Sequence, residues 1–270
     1  MNEHEHFLLE RRESVATYRS NERLKEATGA FAAASIGARY SYNFDWMGRP
    51  IIQYPQDIVA MQELVWSVQP DLIIECGVAH GGSLILSASL LALNELGAAA
   101  VSQETVNPKS PKSKVIGIDI DIRSHNRSAI EQHPLSSYIE LIQGSSIDSS
   151  VVEQVKEAAK GFKRTLVCLD SNHTHEHVLA ELEAYAPLTS KGSYCVVFDT
   201  IIEDLPEELY PDRPWAVGDN PKTAVASYLR RLEETAMVAA DGEPLQLAVD
   251  QYMEDKLQVT VAPGGYLKRV

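Results

Sequence analysis

Short apolar runs and segments of helical periodicity alternate through the middle of the chain. Runs rich in β-branched and other apolar residues predict strands near 72–76, 114–119, 138–142, 165–169 and 193–198. Apolar positions three and four residues apart predict helices near 82–96, 124–132, 149–160, 174–186 and 221–235. Strands separated by helices form parallel sheets with right-handed crossovers. The pattern therefore predicts an α/β fold with a Rossmann-like, doubly wound and mostly parallel sheet.

A helical extension is predicted before this sheet. Residues 5–36 have an amphipathic helical pattern, and residues 40–54 are aromatic-rich and irregular. Pro55 then occupies the favoured first position of another helix. We expect an N-terminal extension at 1–54 and a single catalytic domain at 55–270. The apolar face of the extension needs a partner surface, so it is expected to contact another copy of the chain or to cover the active site.

The end of the chain and one long connection depart from the alternation. Residues 245–249 and 256–261 each alternate apolar and polar positions, which predicts a C-terminal antiparallel hairpin at the sheet edge. Residues 200–221 are too many for a simple connection, and they include Pro, Trp and Tyr. Long irregular loops in compact domains are usually functional, so we expect an ordered lid over the substrate.

The first predicted strand runs directly into a glycine-rich turn. Glu75 and Gly77 end the strand, and Gly81 and Gly82 open the next helix. A strand, a tight glycine turn and a helix N-terminus form the first unit of a nucleotide site, where glycines let the backbone approach a ligand. The spacing differs from the G-x-G-x-x-G of dinucleotide enzymes and is similar to the first motif of S-adenosylmethionine (SAM) methyltransferases. An ordinary βα turn is the alternative interpretation.

A carboxylate at the end of the second strand strengthens the nucleotide interpretation. Asp119 directly continues the apolar run 114–119, and such a carboxylate hydrogen-bonds ribose hydroxyls. It lies 42 residues after Gly77, whereas about 20 are usual in a compact dinucleotide unit. A polar insertion at 98–113 accounts for the excess. Asp121 also follows the strand, but it does not continue the run.

Polar residues follow the other strands as well, and ligands of open α/β sheets bind beyond these carboxyl ends. Asp170 ends the fourth strand, and His173 lies three residues later, at the start of a helix. An imidazole beside a carboxylate suits a general base, although His175 and His177 are competing candidates. Asp199 ends the fifth strand and is predicted to join Asp170 around Mg²⁺, unless it caps the next segment.

Composition excludes several classes of function. A net charge of −14 argues against nucleic acid and anionic membrane surfaces as partners. We expect no membrane span, because no apolar run approaches the ~18 residues that a span requires. The charged start is not a signal peptide, and Cys76, Cys168 and Cys195 lack metal-binding spacing. Buried free thiols in a cytoplasmic protein are therefore expected.

Several motifs together resemble the cephalosporin hydroxylase/rhamnosyl O-methyltransferase family. They are WMGRP at 46–50, PDLIIECGVAHGGS at 70–83, IGIDID at 116–121, DSNH at 170–173, GDNPKTAV at 218–225 and PGGYLK at 263–268. The resemblance covers about residues 40–270. It implies a class I methyltransferase fold that binds SAM, is often Mg²⁺-dependent and oligomeric, and acts on hydroxyls of sugars or natural products.

The resemblance also implies roles for individual residues. It places SAM at Glu75, Gly77, Gly81, Ser83, Asp119, Ser146 and Asp148. It places the metal at Asp170 and Asp199, and it makes His173 the base. The family tends to carry two adjacent acids after the fifth strand, but the first of these positions is Phe198 here. We therefore expect weak Mg²⁺ binding.

The leading functional hypothesis is a SAM-dependent O-methyltransferase that acts on a small-molecule acceptor and forms a homo-oligomer. One alternative is an NAD(P)-dependent oxidoreductase on the same kind of sheet. It is disfavoured by the glycine spacing and by the absence of a Tyr-x-x-x-Lys pair near the fourth or fifth strand. Another alternative is a non-catalytic SAM-binding partner subunit, which the Phe198 departure would suit.

Overall fold

The strands of the computed structural model form two sheets, and the structure describes residues 1–209 and 211–270. In these ranges the strands are β1 (Phe44–Trp46), β2 (Arg49–Ile51), β3 (Leu72–Cys76), β4 (Lys114–Asp119), β5 (Ile139–Gln143), β6 (Thr165–Leu169), β7 (Tyr194–Val197), β8 (Leu247–Val249) and β9 (Tyr266–Arg269). The first two pair with each other, and the other seven form the main sheet.

The main sheet has the strand order β5-β4-β3-β6-β7-β9-β8. Strands β3 to β7 are parallel to their neighbours, whereas β9 is antiparallel to both β7 and β8. The strand order reverses between β3 and β6, and this reversal opens a crevice beyond the carboxyl ends of these strands. The predicted doubly wound, mostly parallel sheet with an antiparallel C-terminal edge is confirmed.

Helices precede the sheet and cover its two faces. The α-helices of the described residues are α1 (Glu3–Tyr18), α2 (Glu22–Gly37), α3 (Pro55–Val68), α4 (Gly82–Ser102), α5 (Ser124–Glu131), α6 (Ser149–Ala158), α7 (His175–Tyr185), α8 (Pro221–Glu234) and α9 (Gln251–Lys256). Alternate residues of β3 belong to different cores, as the pleat requires. Ile73 packs in a cluster with residues of α3 and α4. Ile74 packs in a cluster with residues of α6, α7 and α8.

The helical extension predicted at 5–36 consists of two helices in the structure. The helix α1 ends at Tyr18, and Asn21 caps α2 by accepting a hydrogen bond from the Leu24 amide at 3.1 Å. Arg19, between the helices, forms an ion pair with Asp255 of α9 at 2.8 Å. Phe7, Leu9 and Phe31 of the two helices remain exposed, and the expected oligomer contacts stay a prediction.

The segment at 40–54 is more regular than expected. The strands β1 and β2 form an antiparallel hairpin, and Met47 and Gly48 at its turn both have positive φ angles, 46° and 83°. Two consecutive positive φ angles are typical of the turns that match the twist of a two-residue hairpin. The hairpin places Pro50 and Ile51 against Gly82, at the carboxyl edge of the main sheet.

The predicted hairpin at the end of the chain is partly wrong. The strand at 245–249 exists as β8, but the second strand is β9, after 256–261. Asp250 accepts hydrogen bonds from the amides of Tyr252 and Met253 and starts α9 in place of a tight turn. Thr260 and Val261 then bind the buried carboxylate of Asp57, which holds this segment on α3.

One helix is long and apolar enough to span a membrane, although the sequence analysis expected no such segment. The helix α4 has 21 residues, and an 18-residue window within it has a mean hydropathy of 1.8, which is long and apolar enough for a span. Its first ten residues are almost all buried against the sheet, as in the core helix of an α/β domain. By length and composition alone, the expectation that no such apolar run exists is therefore wrong for α4.

Candidate active site

The glycines after β3 serve packing within the protein. Gly77 has a φ angle of 98°, and a Cβ there would overlap the carbonyl oxygen of Asp170. A Cβ on Gly82 would overlap the carbonyl oxygen of Pro50, and one on Gly81 would overlap the side chain of Ile130. The sequence analysis assigned these glycines to a close approach of the ligand. The structure shows that the missing side chains of Gly77 and Gly82 also let the loop lie against the backbone of Asp170 and Pro50, and the contact with a ligand stays a prediction.

Asp119 lies at the end of β4, under the glycine-rich loop. One carboxylate oxygen accepts hydrogen bonds from the amides of Val78 and Ala79, at 2.9 and 3.3 Å. The other oxygen accepts a hydrogen bond from the Asp121 amide at 3.0 Å. The carboxylate therefore fixes the loop, while the side chain also lines a cavity of about 130 Å³ at the carboxyl ends of β4, β5 and β6.

Ser146 lies in the wall of the same cavity and belongs to a hydrogen-bond network that connects two strand ends with α7. Its hydroxyl donates to Glu181 Oε1 at 2.5 Å and lies 3.0 Å from His177 Nε2. The Ser171 hydroxyl donates to the same Glu181 oxygen at 2.5 Å. Glu181 is fully buried. The sequence analysis missed Glu181 and treated His177 only as a competing base, although their i, i+4 spacing on one helix was visible.

Asp148, which the resemblance assigns to SAM, lies at the start of α6. It caps α6, where its carboxylate accepts hydrogen bonds from the Ser150 amide at 2.8 Å and hydroxyl at 2.6 Å. These hydrogen bonds lower the pKa of Asp148. Asp148 is exposed, and it is not among the described residues that line the cavity of Ser146.

Glu75 is buried at the end of β3, and Ser83 lines a cavity beside it. The Ser87 hydroxyl lies 3.4 Å from Glu75 Oε2. Burial raises the pKa of the Glu75 carboxyl to about 7, although hydrogen bonds from Ser83 and Ser87 act in the opposite direction. A carboxyl of this kind is partly protonated near neutral pH, so it can donate as well as accept a hydrogen bond.

The raised pKa of Glu75 predicts a pH dependence of stability. The usual pKa of 4.5 applies in the unfolded chain, so the contribution of Glu75 to stability is full below that pH and is lost as the pH rises through about 7. Glu75→Gln should therefore reduce the loss of stability between pH 5 and 8, as measured by urea unfolding of the ligand-free protein. Asp57, with a pKa raised to about 6, acts in the same direction, so some dependence should remain. An identical pH dependence in the two proteins would contradict this role of Glu75.

Three predicted residues converge beyond β6 and β7. Asp170, His173 and Asp199 each offer one ligand atom, and these atoms all lie within 4.8 Å of one another. His173 Nε2 lies 3.2 Å from Asp199 Oδ2. Burial raises the pKa of Asp170 well above its usual value, and the negative charge of Asp199 adds to this effect. A bound cation would offset both causes, so the arrangement suits a divalent ion.

Phe198 lies next to this cluster in the sequence, and Asp199 within the cluster has an unusual backbone conformation. Phe198, at the position where the family tends to carry an acid, is buried and belongs to the apolar core. Asp199 has a φ angle of 54°, a left-handed conformation that is uncommon for residues other than glycine and that Asp and Asn adopt most readily. Such strain persists where the surrounding structure fixes it, often at functional sites.

The long connection at 200–221 is ordered in the described residues and reaches this cluster. Trp215 packs edge-on against His173, with 4.7 Å between the ring centroids. Asp219 accepts a hydrogen bond from the His175 amide at 2.7 Å, which anchors the connection to the start of α7. The side chain of His175 is bound to the Thr223 hydroxyl at 2.8 Å, away from Asp199. Tyr210, in the segment predicted to form a lid, lies outside the described residues.

Comparison with known proteins shows the family and the fold of this chain. A sequence profile of the Rhamnosyl O-methyltransferase/CmcI family matches residues 38–270. The chain belongs to this family. Its relatives include rhamnosyl O-methyltransferases of Mycobacterium tuberculosis and Mycobacterium bovis, which are 27% identical over 225 residues, or 83% of this chain and 77% of theirs. The Mycobacterium leprae protein of the same name is 25% identical and is covered over 82% of its length.

Solved structures from the family show the same fold. A CmcI structure with Mg and SAM has a TM-score of 0.53 and 18% sequence identity, and the match covers 85% of this chain and 77% of that one. An apo structure of CmcI has a TM-score of 0.50 with the same identity and coverage. The family resemblance inferred from the sequence motifs is confirmed.

Proposed function

We propose that this protein is a SAM-dependent O-methyltransferase that transfers a methyl group to a hydroxyl of a sugar or a natural-product scaffold. The observation that carries the proposal is the convergence of Asp170, His173 and Asp199 beside the glycine-rich loop, in a member of the Rhamnosyl O-methyltransferase/CmcI family. Its relatives in three mycobacterial species are named rhamnosyl O-methyltransferases, which favours a deoxysugar hydroxyl as the acceptor.

The cofactor is proposed to lie across the glycine-rich loop. Its ribose would contact Asp119, and its adenine would enter the cavity lined by Ser146, Ser171 and His177. The methionyl part would then extend into the cavity beside residues 77–83, which includes Ser83 and Asp170. This placement is supported by the contact between Asp119 and the Val78 and Ala79 amides, because that contact connects the walls of the two cavities.

A divalent cation is proposed at Asp170 and Asp199. Their carboxylates are the hard oxygen ligands that Mg²⁺ prefers, and a CmcI structure contains Mg together with SAM. When bound there, the ion would orient the acceptor hydroxyl and lower its pKa. Phe198 supplies no ligand, so the affinity is expected to be weaker than that of a site with a third carboxylate.

The remaining steps are assigned to side chains of this chain. His173 is proposed to accept the proton of the acceptor hydroxyl, with Asp199 holding the imidazole in position through the 3.2 Å contact. Trp215 packs against His173 and would exclude water from the reacting atoms. Positioning of the two reactants is expected to supply much of the rate enhancement, because near-attack geometry is worth roughly 7–11 kcal/mol.

Binding and turnover measurements test this proposal. Calorimetry should show binding of SAM and of S-adenosylhomocysteine, and no binding of NAD or NADP. Methyl transfer to rhamnosyl acceptors, followed by mass spectrometry, then separates an enzyme from a non-catalytic SAM-binding subunit. Binding of NAD or NADP without SAM would favour the oxidoreductase alternative and would contradict the proposal.

Asp119→Ala tests the position of the ribose. The variant should weaken SAM binding by about 1–3 kcal/mol, because it removes a charge-assisted hydrogen bond and leaves the Val78 and Ala79 amides without their acceptor. Calorimetry gives the affinity, and circular dichroism shows whether the variant is folded. Asp121→Ala, at the competing carboxylate, is the matched control and should bind SAM as the natural protein does. Unchanged SAM affinity in a folded Asp119→Ala protein would remove Asp119 from the site.

A further inference from the structure

Gln53, which the sequence analysis did not select, has a buried acceptor atom that the protein leaves without a partner. The residue follows the β1–β2 hairpin and is 6% exposed. Its Nε2 donates a hydrogen bond to Asp170 Oδ2 at 3.2 Å. Its Oε1 is buried and has no hydrogen-bond partner among the described residues. Leaving a buried acceptor unpaired is unfavourable, so the position needs an explanation.

The orientation of the Gln53 amide follows from its neighbour. An ionised or cation-bound Asp170 can only accept hydrogen bonds, so it requires the NH₂ group of Gln53 on its side. The carbonyl oxygen of the amide is then directed away from Asp170. Two adjoining cavities, which share Ile51, Gln53, Ser83 and Asp170 in their walls, are the places that a donor for this oxygen can occupy.

The walls of these cavities are rich in carboxyl groups. Asp57 and Glu75 line the first cavity, Asp170 lines both together with Gln53, and no described lining residue is Lys or Arg. The second cavity is also lined by the glycine-rich loop, whose Val78 and Ala79 amides bind Asp119 in the wall of the proposed adenosine cavity. A ligand that passes over the loop from Asp119 would therefore bring its far end to Gln53.

We propose that Gln53 binds the α-ammonium group at the methionyl end of the cofactor through its Oε1 atom, and that it connects this group to the metal-binding carboxylate of Asp170. This inference rests on the proposed function, since it takes SAM as the ligand of the crevice. An ammonium group provides three donors and the positive charge that the acceptor-rich walls favour. Gln53 is thus a binding residue for the amino-acid part of the cofactor and contributes nothing to adenosine recognition.

Two probes that differ only in the amino-acid part test this inference. S-adenosylhomocysteine carries the ammonium group, and 5′-methylthioadenosine lacks it while keeping the adenosine thioether. Gln53→Met, which keeps the approximate volume, should weaken binding of S-adenosylhomocysteine by about 10- to 100-fold. Binding of 5′-methylthioadenosine should change less than about threefold, and calorimetry with each probe alone measures both. Gln132→Met, at an exposed glutamine that ends α5, is the matched control.

The outcomes separate the inference from the proposed function. Equal losses for both probes in Gln53→Met, or no loss for either, would overturn the role of Gln53. If the natural protein binds neither probe, the proposed function itself fails. Gln53→Glu retains an acceptor at this position and replaces the methionine variant as the test if that variant does not fold. It should bind S-adenosylhomocysteine within about tenfold of the natural protein. A complete loss of binding would contradict the inference.

Discussion

Replacing His173 by alanine should lower the turnover of methyl transfer by about 10²–10⁴-fold, the usual worth of a general base. The imidazole lies 3.2 Å from Asp199, its side chain is only 16% exposed, and Trp215 packs against it. SAM binding should be unchanged, because His173 is not among the described residues that line the two cavities assigned to the cofactor. Steady-state kinetics and calorimetry on the same preparation give both values.

Two further variants decide what His173 does. His173→Gln retains a hydrogen-bonding group of similar size but cannot take a proton at neutral pH, so it should be as slow as His173→Ala if the residue is a base. Recovery of most of the activity in the glutamine variant would show that His173 only positions Asp199. His175→Ala is the matched control, because that imidazole contacts Thr223 and should be dispensable for turnover.

Asp199→Asn should abolish stimulation by Mg²⁺ and weaken Mg²⁺ binding by at least about 10- to 100-fold, the scale on which even outer-shell partners of a metal act. Asparagine is the appropriate substitution because it tolerates the left-handed backbone of this position, φ 54°, which would strain alanine. Calorimetry with Mg²⁺ in the presence of S-adenosylhomocysteine measures the affinity separately from turnover. Turnover that persists in excess chelator would remove the metal from the mechanism and leave His173 as the catalytic group.

Phe198→Glu is the counterpart of this variant. It places a carboxylate at the position where the family tends to carry an acid and this chain has Phe198. Mg²⁺ should therefore bind more tightly, by about tenfold or more. Phe198 is 6% exposed, and an unpaired carboxylate there is costly, so the metal-free variant should have a lower Tm than the natural protein. Added Mg²⁺ should restore much of this loss. If Mg²⁺ leaves the Tm of Phe198→Glu unchanged, position 198 does not face the cation.

The sequence determined the central sheet and its chemistry-bearing ends. A period of two or of 3.6 is a local property, so strands such as β3 and β4 could be recognised from their own residues. Parallel strands present their carboxyl ends at one edge, and this rule alone brought Asp119, Asp170 and Asp199 into one crevice. The family motifs identified the glycine-rich loop, and Phe198 was visible as a departure from the pattern.

Only the tertiary structure decided which C-terminal segment pairs with the edge of the sheet and which residues the glycine-rich loop contacts. The alternation at 256–261 was as regular as that of a strand, but Asp57 of α3 binds Thr260 and Val261 across about 200 residues of chain, and this contact outweighs the local pattern. The partners of Gly77 and Gly82 are backbone atoms of Asp170 and Pro50, which lie far from them in the sequence. Gln53 likewise meets Asp170 across 117 residues. Local periodicity encodes which elements form, whereas contacts between distant residues depend on how all the elements pack, so no single stretch of the sequence contains them.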